Sequence, residues 1–207
     1  KKVAWGDDRI RPVAPESIPT PSTLLPAQVV LSLEPGYYRI GVEAFDRNSK
    51  KRAAATKIVR LAPYGASPTI SDIQFASSLA ETEANTRFVK GGLQVVPHAC
   101  RAYRIPFPVS FYFEIYGLDT DRNGLALLKI EYTIVPLEKR RWGPVLEEVP
   151  TTISSAFETS AYGATQPQRL SIATDELWEG TFRLEVTVTD RRTLKAATRS
   201  AEFSILK

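Results

Sequence analysis

Residues 33–47 read Leu33-Glu-Pro-Gly36-Tyr-Tyr38-Arg39-Ile-Gly-Val42-Glu-Ala-Phe-Asp46-Arg47, and residues 177–191 read Leu177-Trp-Glu-Gly180-Thr-Phe182-Arg183-Leu-Glu-Val186-Thr-Val-Thr-Asp190-Arg191. Leu, Gly, Arg, Val, Asp and Arg coincide without a gap. Each stretch is followed by a basic turn, then Ala53-Ala-Ala-Thr56 or Ala196-Ala-Thr198, then a last apolar run. Within each copy, alternate residues after the glycine are apolar, and period two with one apolar face is the mark of a half-buried strand. The repeated unit is therefore a turn, a long core strand, an Asp-led hairpin and a closing strand.

The aromatic two residues after each glycine, Tyr38 or Phe182, stands where sandwich folds place a corner aromatic. Phe182 has no hydroxyl, so a tyrosine-corner hydrogen bond is expected in the first copy alone. The repeat predicts an all-β chain of tandem immunoglobulin-like β-sandwich domains. The first copy has only about 60 residues before it gives way to the second, against the ~100 of an immunoglobulin-type sandwich. Its early strands are then missing, upstream, or supplied by a partner.

The rest of the chain supports the same class. Val29 to Leu33 is a β-branched apolar run and reads as a strand starting at about Gln28. Ile70 to Phe75, Leu93 to Val96 and Ala102 to Ile105 are further short strands. Val109, Phe111, Phe113 and Ile115 share one face, and Leu128, Ile130, Tyr132 and Ile134 share another. Residues 138–165 read as a charged, then Ser/Thr-rich connection, before a short strand at Leu170 to Ile172. Nothing reads as a long amphipathic helix. Fifteen prolines against 11 glycines suit a loop-rich β protein, because proline is excluded from helix interiors and central strands. Pro12, Pro15, Pro19, Pro21 and Pro26 make residues 1–27 an arm or linker. The expected organisation is an arm at 1–27, a partial first sandwich at 28–66 and a second sandwich at 67–207.

Ser71-Asp72-Ile73, Val96-Pro97 and Phe113-Glu114-Ile115-Tyr116-Gly-Leu118, following Leu33-x-Pro-Gly-x-Tyr38, occur in an order that resembles the β-rich C-terminal region of bacterial GWxTD-domain proteins. The resemblance spans roughly residues 29–137. The naming motif Gly-Trp-x-Thr-Asp is absent, so nothing is carried over from that segment. The resemblance implies immunoglobulin-like modules in the bacterial cell envelope and brings no catalytic residue.

Chemistry is sparse. The one histidine and one cysteine, His98 and Cys100, would share a face of a strand, but a dyad also needs an orienting group and a cleft. The same two residues are too few to ligate zinc, and a single cysteine forms no intrachain disulfide. Asp7-Asp8 and Glu147-Glu148 are neighbours that point to opposite faces of an extended chain. No glycine loop is built to cradle phosphate. Asp119-Thr-Asp121-Arg-Asn123-Gly124 has the opening of a calcium loop, yet position twelve is Ile130 where a bidentate glutamate belongs. It reads as a hairpin turn closing at Asn123-Gly124. No catalytic residue, cofactor or metal ligand is expected, and the chain is not read as an enzyme.

A net charge of +4 falls well short of a nucleic-acid-binding signature. No apolar run reaches the ~20 residues of a membrane helix. There is no methionine at all, so Lys1 is not expected to be a translation start. The expected role is a non-catalytic periplasmic or extracellular protein-interaction module. It would be an accessory or scaffolding subunit on a larger envelope or integral membrane complex, such as the periplasmic face of a photosynthetic complex. Trp142, Trp178, Tyr162, Arg140 and Arg141 are the candidate contacts, since interfaces are enriched in Trp, Tyr and Arg. The alternatives are a carbohydrate- or ligand-binding sandwich, with Trp and Tyr as platforms, or a non-catalytic part of a larger secreted hydrolase.

Overall fold

The computed structural model describes residues 4–9, 25–64, 68–83, 87–137, 141–142, 145–146 and 152–206, and these residues form strands, turns and extended chain without a helix. They divide into two compact units, Lys1–Arg9 with Val29–Tyr64, and Ile10–Gln28 with Gly65–Lys207.

The first unit is built on one antiparallel hairpin, β1 (Gly36–Phe45) and β2 (Arg52–Leu61). The apolar run at Val29 to Leu33 forms no strand, and Val30 is 80% exposed. That stretch is bracketed by Pro26 and Pro35, and proline cannot donate to a ladder.

The second unit contains, in chain order, β3 (Thr69–Ile70), β4 (Gln74–Glu81), β5 (Val89–Lys90), β6 (Leu93–Pro97), β7 (Ala102–Arg104), β8 (Val109–Tyr116) and β9 (Leu125–Pro136). There follow β10 (Arg141–Trp142), β11 (Val145–Leu146), β12 (Ile153–Tyr162), β13 (Thr165–Ile172), β14 (Gly180–Asp190) and β15 (Ala196–Leu206). One sheet has the order β12-β9-β14-β15-β7 and the other the order β13-β8-β4-β6-β5, with β3 also paired to β8. All neighbours are antiparallel except β15 and β7, which run parallel. The two sheets pack face to face as a β-sandwich. Phe75, Phe111, Phe113 and Ile115 of one sheet share a single buried cluster with Leu128, Ile130, Phe182, Val186 and Phe203 of the other.

The alternation seen in the sequence explains this core. On β14, Phe182, Leu184, Val186 and Val188 are all fully buried, while the residues between them are half-exposed. On β8, Val109, Phe111, Phe113 and Ile115 line the core, and Tyr112 on the opposite face caps a small second cluster with Ala76, Leu93 and Val95. Gly91, at φ +53°, closes the β5–β6 turn against that face. A Cβ there would stand 3.2 Å from the Pro167 ring, a tight contact, and the positive φ would strain any other side chain. Pro167 sits on β13, an edge strand, where its missing N–H leaves no gap in the ladder.

The stretch read as a Ser/Thr-rich connection contains the ten-residue strand β12, paired with β9 from Ile153↔Ile134 to Tyr162↔Leu125. As an edge strand it needs only one weakly apolar face, and Ile153, Phe157 and Ala161 provide it.

The two repeated stretches form the same substructure. Adding 144 to each number turns the pair Gly36↔Leu61 into Gly180↔Ile205 and Phe45↔Arg52 into Thr189↔Ala196. The turns match as well. Asp46 accepts from Asn48 N at 2.9 Å and donates its N–H to Lys51 O at 3.0 Å, as Asp190 does with Arg192 N at 2.8 Å and Lys195 O at 2.9 Å. Lys50 and Leu194 both take φ +58°. At the other end, Tyr38 Oη donates to Glu34 O at 2.7 Å, the corner bond expected of the first copy. In the second copy the residue equivalent to Glu34 is Trp178, whose ring meets Phe182 edge-on at 5.2 Å. A ring–ring contact thus stands where the first copy has a hydrogen bond.

Candidate functional site

Three connections of the second unit meet at one end of the sandwich, namely 117–124 after β8, the turn at 163–164 after β12, and 191–195 after β14. Asp190, buried at the last position of β14, ties two of them together. Its Oδ1 accepts from the backbone N–H of Arg192 (2.8 Å) and Thr193 (3.1 Å), and its Oδ2 accepts from Asp119 N (2.8 Å). Burial by itself raises the Asp190 carboxyl, but the backbone N–H donors from Asp119, Thr193 and Arg192 outweigh it and hold the group below the ordinary carboxylate range. Arg192 Nε returns to Asp119 Oδ2 at 3.0 Å. Arg191 N donates to Leu127 O at 2.9 Å, and its guanidinium lies 3.3 Å from Glu158 of β12. The 163–164 turn is held by Gly163 N to Gly124 O (2.9 Å) and by Leu118 N to Ala164 O (3.2 Å).

The Asp119–Gly124 stretch is a turn within this arrangement. Asp121 Oδ1 accepts from both Asn123 N (2.8 Å) and Leu125 N (2.9 Å), and Gly124 takes φ +78°. One of the two Asp121 carboxylate oxygens is thus taken up by backbone N–H groups. Among the described residues, no three His, Cys, Asp or Glu side chains gather as a metal site.

The result is a stiff rim carrying exposed apolar side chains. Tyr162 is 75% exposed, Leu194 73% and Leu127 47%. Leu127 and Tyr162 lie on the outward face of adjacent strands, where Ser160↔Leu127 and Tyr162↔Leu125 are register pairs. Among the described residues, Tyr162 is the one sequence-selected contact residue at this end. Trp178 precedes β14 at the opposite end, a strand length of roughly 30 Å away, half-buried against Phe182 and the core. Arg141 and Trp142 form the two-residue strand β10 against β11; their side chains, and Arg140 entirely, lie outside the described residues. Leu127, Leu194 and the Asp119–Asp190 link escaped the sequence reading. The available signal was the Asp at the end of each repeated strand, since that position carries the same turn twice.

His98 and Cys100 do meet, with Sγ 3.2 Å from Nδ1. A turn brings them together, closed by Arg101 N to His98 O at 3.0 Å, and the thiol is exposed. The His98 ring stands edge-on to Tyr103 at 4.5 Å, and Tyr103 Oη is anchored on Ala76 O and Ser110 O, both at 3.0 Å. Burial pushes the Tyr103 phenol well above its ordinary range. The basic clusters within the described residues face acids: Arg52 with Glu43 at 2.7 Å, Arg191 with Glu158 and Arg192 with Asp119.

The chain matches no protein-family model and no curated protein.

Proposed function

We propose that the chain is a non-catalytic, extracytoplasmic protein-interaction module, an accessory or scaffolding subunit that docks on a larger bacterial envelope complex through the loop end of its second unit. The resemblance to the β-rich region of GWxTD-domain proteins, and with it the immunoglobulin-like reading of both units, belongs to this proposal. So does an integral membrane host, of which the periplasmic face of a photosynthetic complex is an example.

One observation carries the reading. Tyr162, Leu194 and Leu127 are exposed on loops and strand ends that backbone hydrogen bonds and the Asp190 carboxylate hold rigid. A loop backbone already held by hydrogen bonds has little left to order on binding, and binding residues concentrate on loops set by a stiff scaffold. Arg191 and Arg192, held by Glu158 and Asp119, give this apolar group a polar rim.

The test is isolation of the tagged protein from native envelopes, comparing wild type with the double variant Tyr162→Ala, Leu194→Asp at matched melting temperature. The expected result is loss of a stoichiometric companion, with affinity for the purified companion reduced by ~30-fold or more, as for interface hot spots of about 2 kcal/mol. Equal recovery of the same companion by both proteins would overturn the reading.

A further inference from the structure

The two sheets of the second unit end in β12 and β7, and in β13 and β5. All but one of these edges are guarded against pairing with another chain. β5 spans two residues and β7 three, and β13 carries Pro167 and Arg169. β15, which β7 covers only from Ser204 to Leu206, carries Arg199 and Glu202 along the rest of its edge. Shortness, proline and charge are the common means by which edges avoid association. β12 lacks them. It runs for ten residues, Ile153–Tyr162, without proline, lysine or arginine. Its one charged residue, Glu158, is met by Arg191 at 3.3 Å. Among the described residues, β9 is the only strand that pairs with it.

The neighbouring ladders fix which groups of β12 face outward. Leu137 N donates to Thr181 O and Arg191 N to Leu127 O, both at 2.9 Å. Each bond extends the β9–β14 register by one step, so odd-numbered residues of β9 bond β14 and even-numbered ones bond β12. Gly163 N donates to Gly124 O at 2.9 Å and extends the β9–β12 register in the same sense. Odd-numbered residues of β12 thus bond β9. The N–H and C=O groups of Ser154, Ala156, Glu158 and Ser160 point to the open edge, and these four residues are exposed. Tyr162 O accepts from Gln166 Nε2, which ends the free stretch at Ser160. Ser160 O meets Thr159 Oγ1 at 3.5 Å, too long to occupy it fully.

An edge of this kind accepts an antiparallel strand, and its own sequence is self-complementary. About a two-fold axis at Phe157, Ser154 stands opposite Ser160 and Ala156 opposite Glu158 as hydrogen-bonded pairs. Between them, Phe157 meets Phe157, Ser155 meets Thr159 and Ile153 meets Ala161. Hydroxyl faces hydroxyl, apolar faces apolar, and the one acid faces alanine. Phe157 falls in a non-hydrogen-bonded pair, where opposed side chains are closest and an aromatic pair contributes most. Shifting the axis to Glu158 sets two carboxylates directly opposite each other, and shifting it to Ala156 sets Phe157 against Ser155.

We propose that two copies of the chain join edge to edge through β12, antiparallel about Phe157, so that the five-stranded sheet of each continues into the other. The contact is isologous, as in most homodimers. Main-chain bonds from Ser154, Ala156, Glu158 and Ser160 hold it, and the half-buried Phe157 rings close its inward face. The pairing goes beyond the loop-end reading and does not depend on it.

Sedimentation equilibrium of the 207-residue chain tests the proposal, and the variants leave Tyr162, Leu127 and Leu194 untouched. A single pair of strands buries little surface, so a dimer with a dissociation constant of about 1–100 µM is expected. Ala156→Pro removes an N–H that β9 does not use, and should weaken the dimer about tenfold or more. The double variant Ser154→Lys, Ser160→Lys sets like charges opposite each other and should weaken it as well. Ser154→Glu, Ser160→Lys sets opposite charges there and should bind about tenfold or more tighter than the Lys–Lys protein. The two charge variants alter the same exposed positions, so their comparison decides the matter even if Ala156→Pro does not fold. A chain that stays monomeric at about 300 µM overturns the proposal. So does a dimer that a folded Ala156→Pro leaves intact, or one that the two charge variants weaken equally.

Discussion

The carboxylate of Asp190 accepts a hydrogen bond at 2.8 Å from the backbone N–H of Asp119, 71 residues earlier in the chain. With Arg192 N and Thr193 N on its other oxygen, one buried side chain satisfies three donors and sets the spacing of two loops. Asp190→Ala is expected to cost about 2–3 kcal/mol, because buried donors left unsatisfied carry their full desolvation penalty. Urea unfolding monitored by Trp fluorescence measures it, and a loss below about 0.5 kcal/mol would show that water replaces the carboxylate.

The same carboxylate gives stability a defined pH dependence. Its folded-state pKa is lowered, so its contribution is present above the unfolded value of about 4 and is lost as pH falls through the lower folded value. The melting temperature of wild type should exceed that of Asp190→Asn by a constant margin near neutrality. The margin should shrink below about pH 4. A margin that grows on acidification would contradict the assignment.

The core of the second unit and the exposed hairpin of the first should respond to truncation by very different amounts. Phe111 is fully buried between the sheets, and Phe111→Ala should cost about 3–5 kcal/mol. Ile58 is 68% exposed on the outward face of β2, and Ile58→Ala should change stability by less than about 0.5 kcal/mol. Chemical denaturation of both variants checks the pair.

Asp121 is engaged with Asn123 N and Leu125 N, so calcium at millimolar concentration should leave the melting temperature unchanged. A calcium-dependent rise that disappears in Asp121→Ala would restore the cation reading of this loop.

Cys100 is exposed with its sulfur 3.2 Å from His98 Nδ1. The native protein should release one equivalent of thionitrobenzoate from Ellman's reagent without denaturant, and more slowly in His98→Ala. A thiol that reacts only after unfolding would place it inside the fold.

Much of the fold can be read along the chain because strand patterning is local. The inward residues of β8, β9 and β14 announce themselves by period two, and the Gly-to-Asp spacing of the repeat survives in two ladders of identical register. Edge elements are less legible. β12 pairs on one side only and carries Ser and Thr where a central strand would carry Val and Ile, while Val29 to Leu33 has the right residues and no ladder to join.

The turns of the loop end are local, but the surface they make together could not be read from local pattern. Tyr162 was visible as an aromatic residue, but Leu127 is brought beside it only by the β9–β12 pairing, and Leu194 is placed at the same end only by the turn after Asp190. Trp178 carries the same kind of signal and is spent on packing against Phe182. By itself the sequence determined that this is an all-β chain with a duplicated strand pair, because backbone alternation and turn chemistry are set by near neighbours. The tertiary structure alone decided which copy has a core and which side chains share a surface, because burial depends on residues that are distant along the chain.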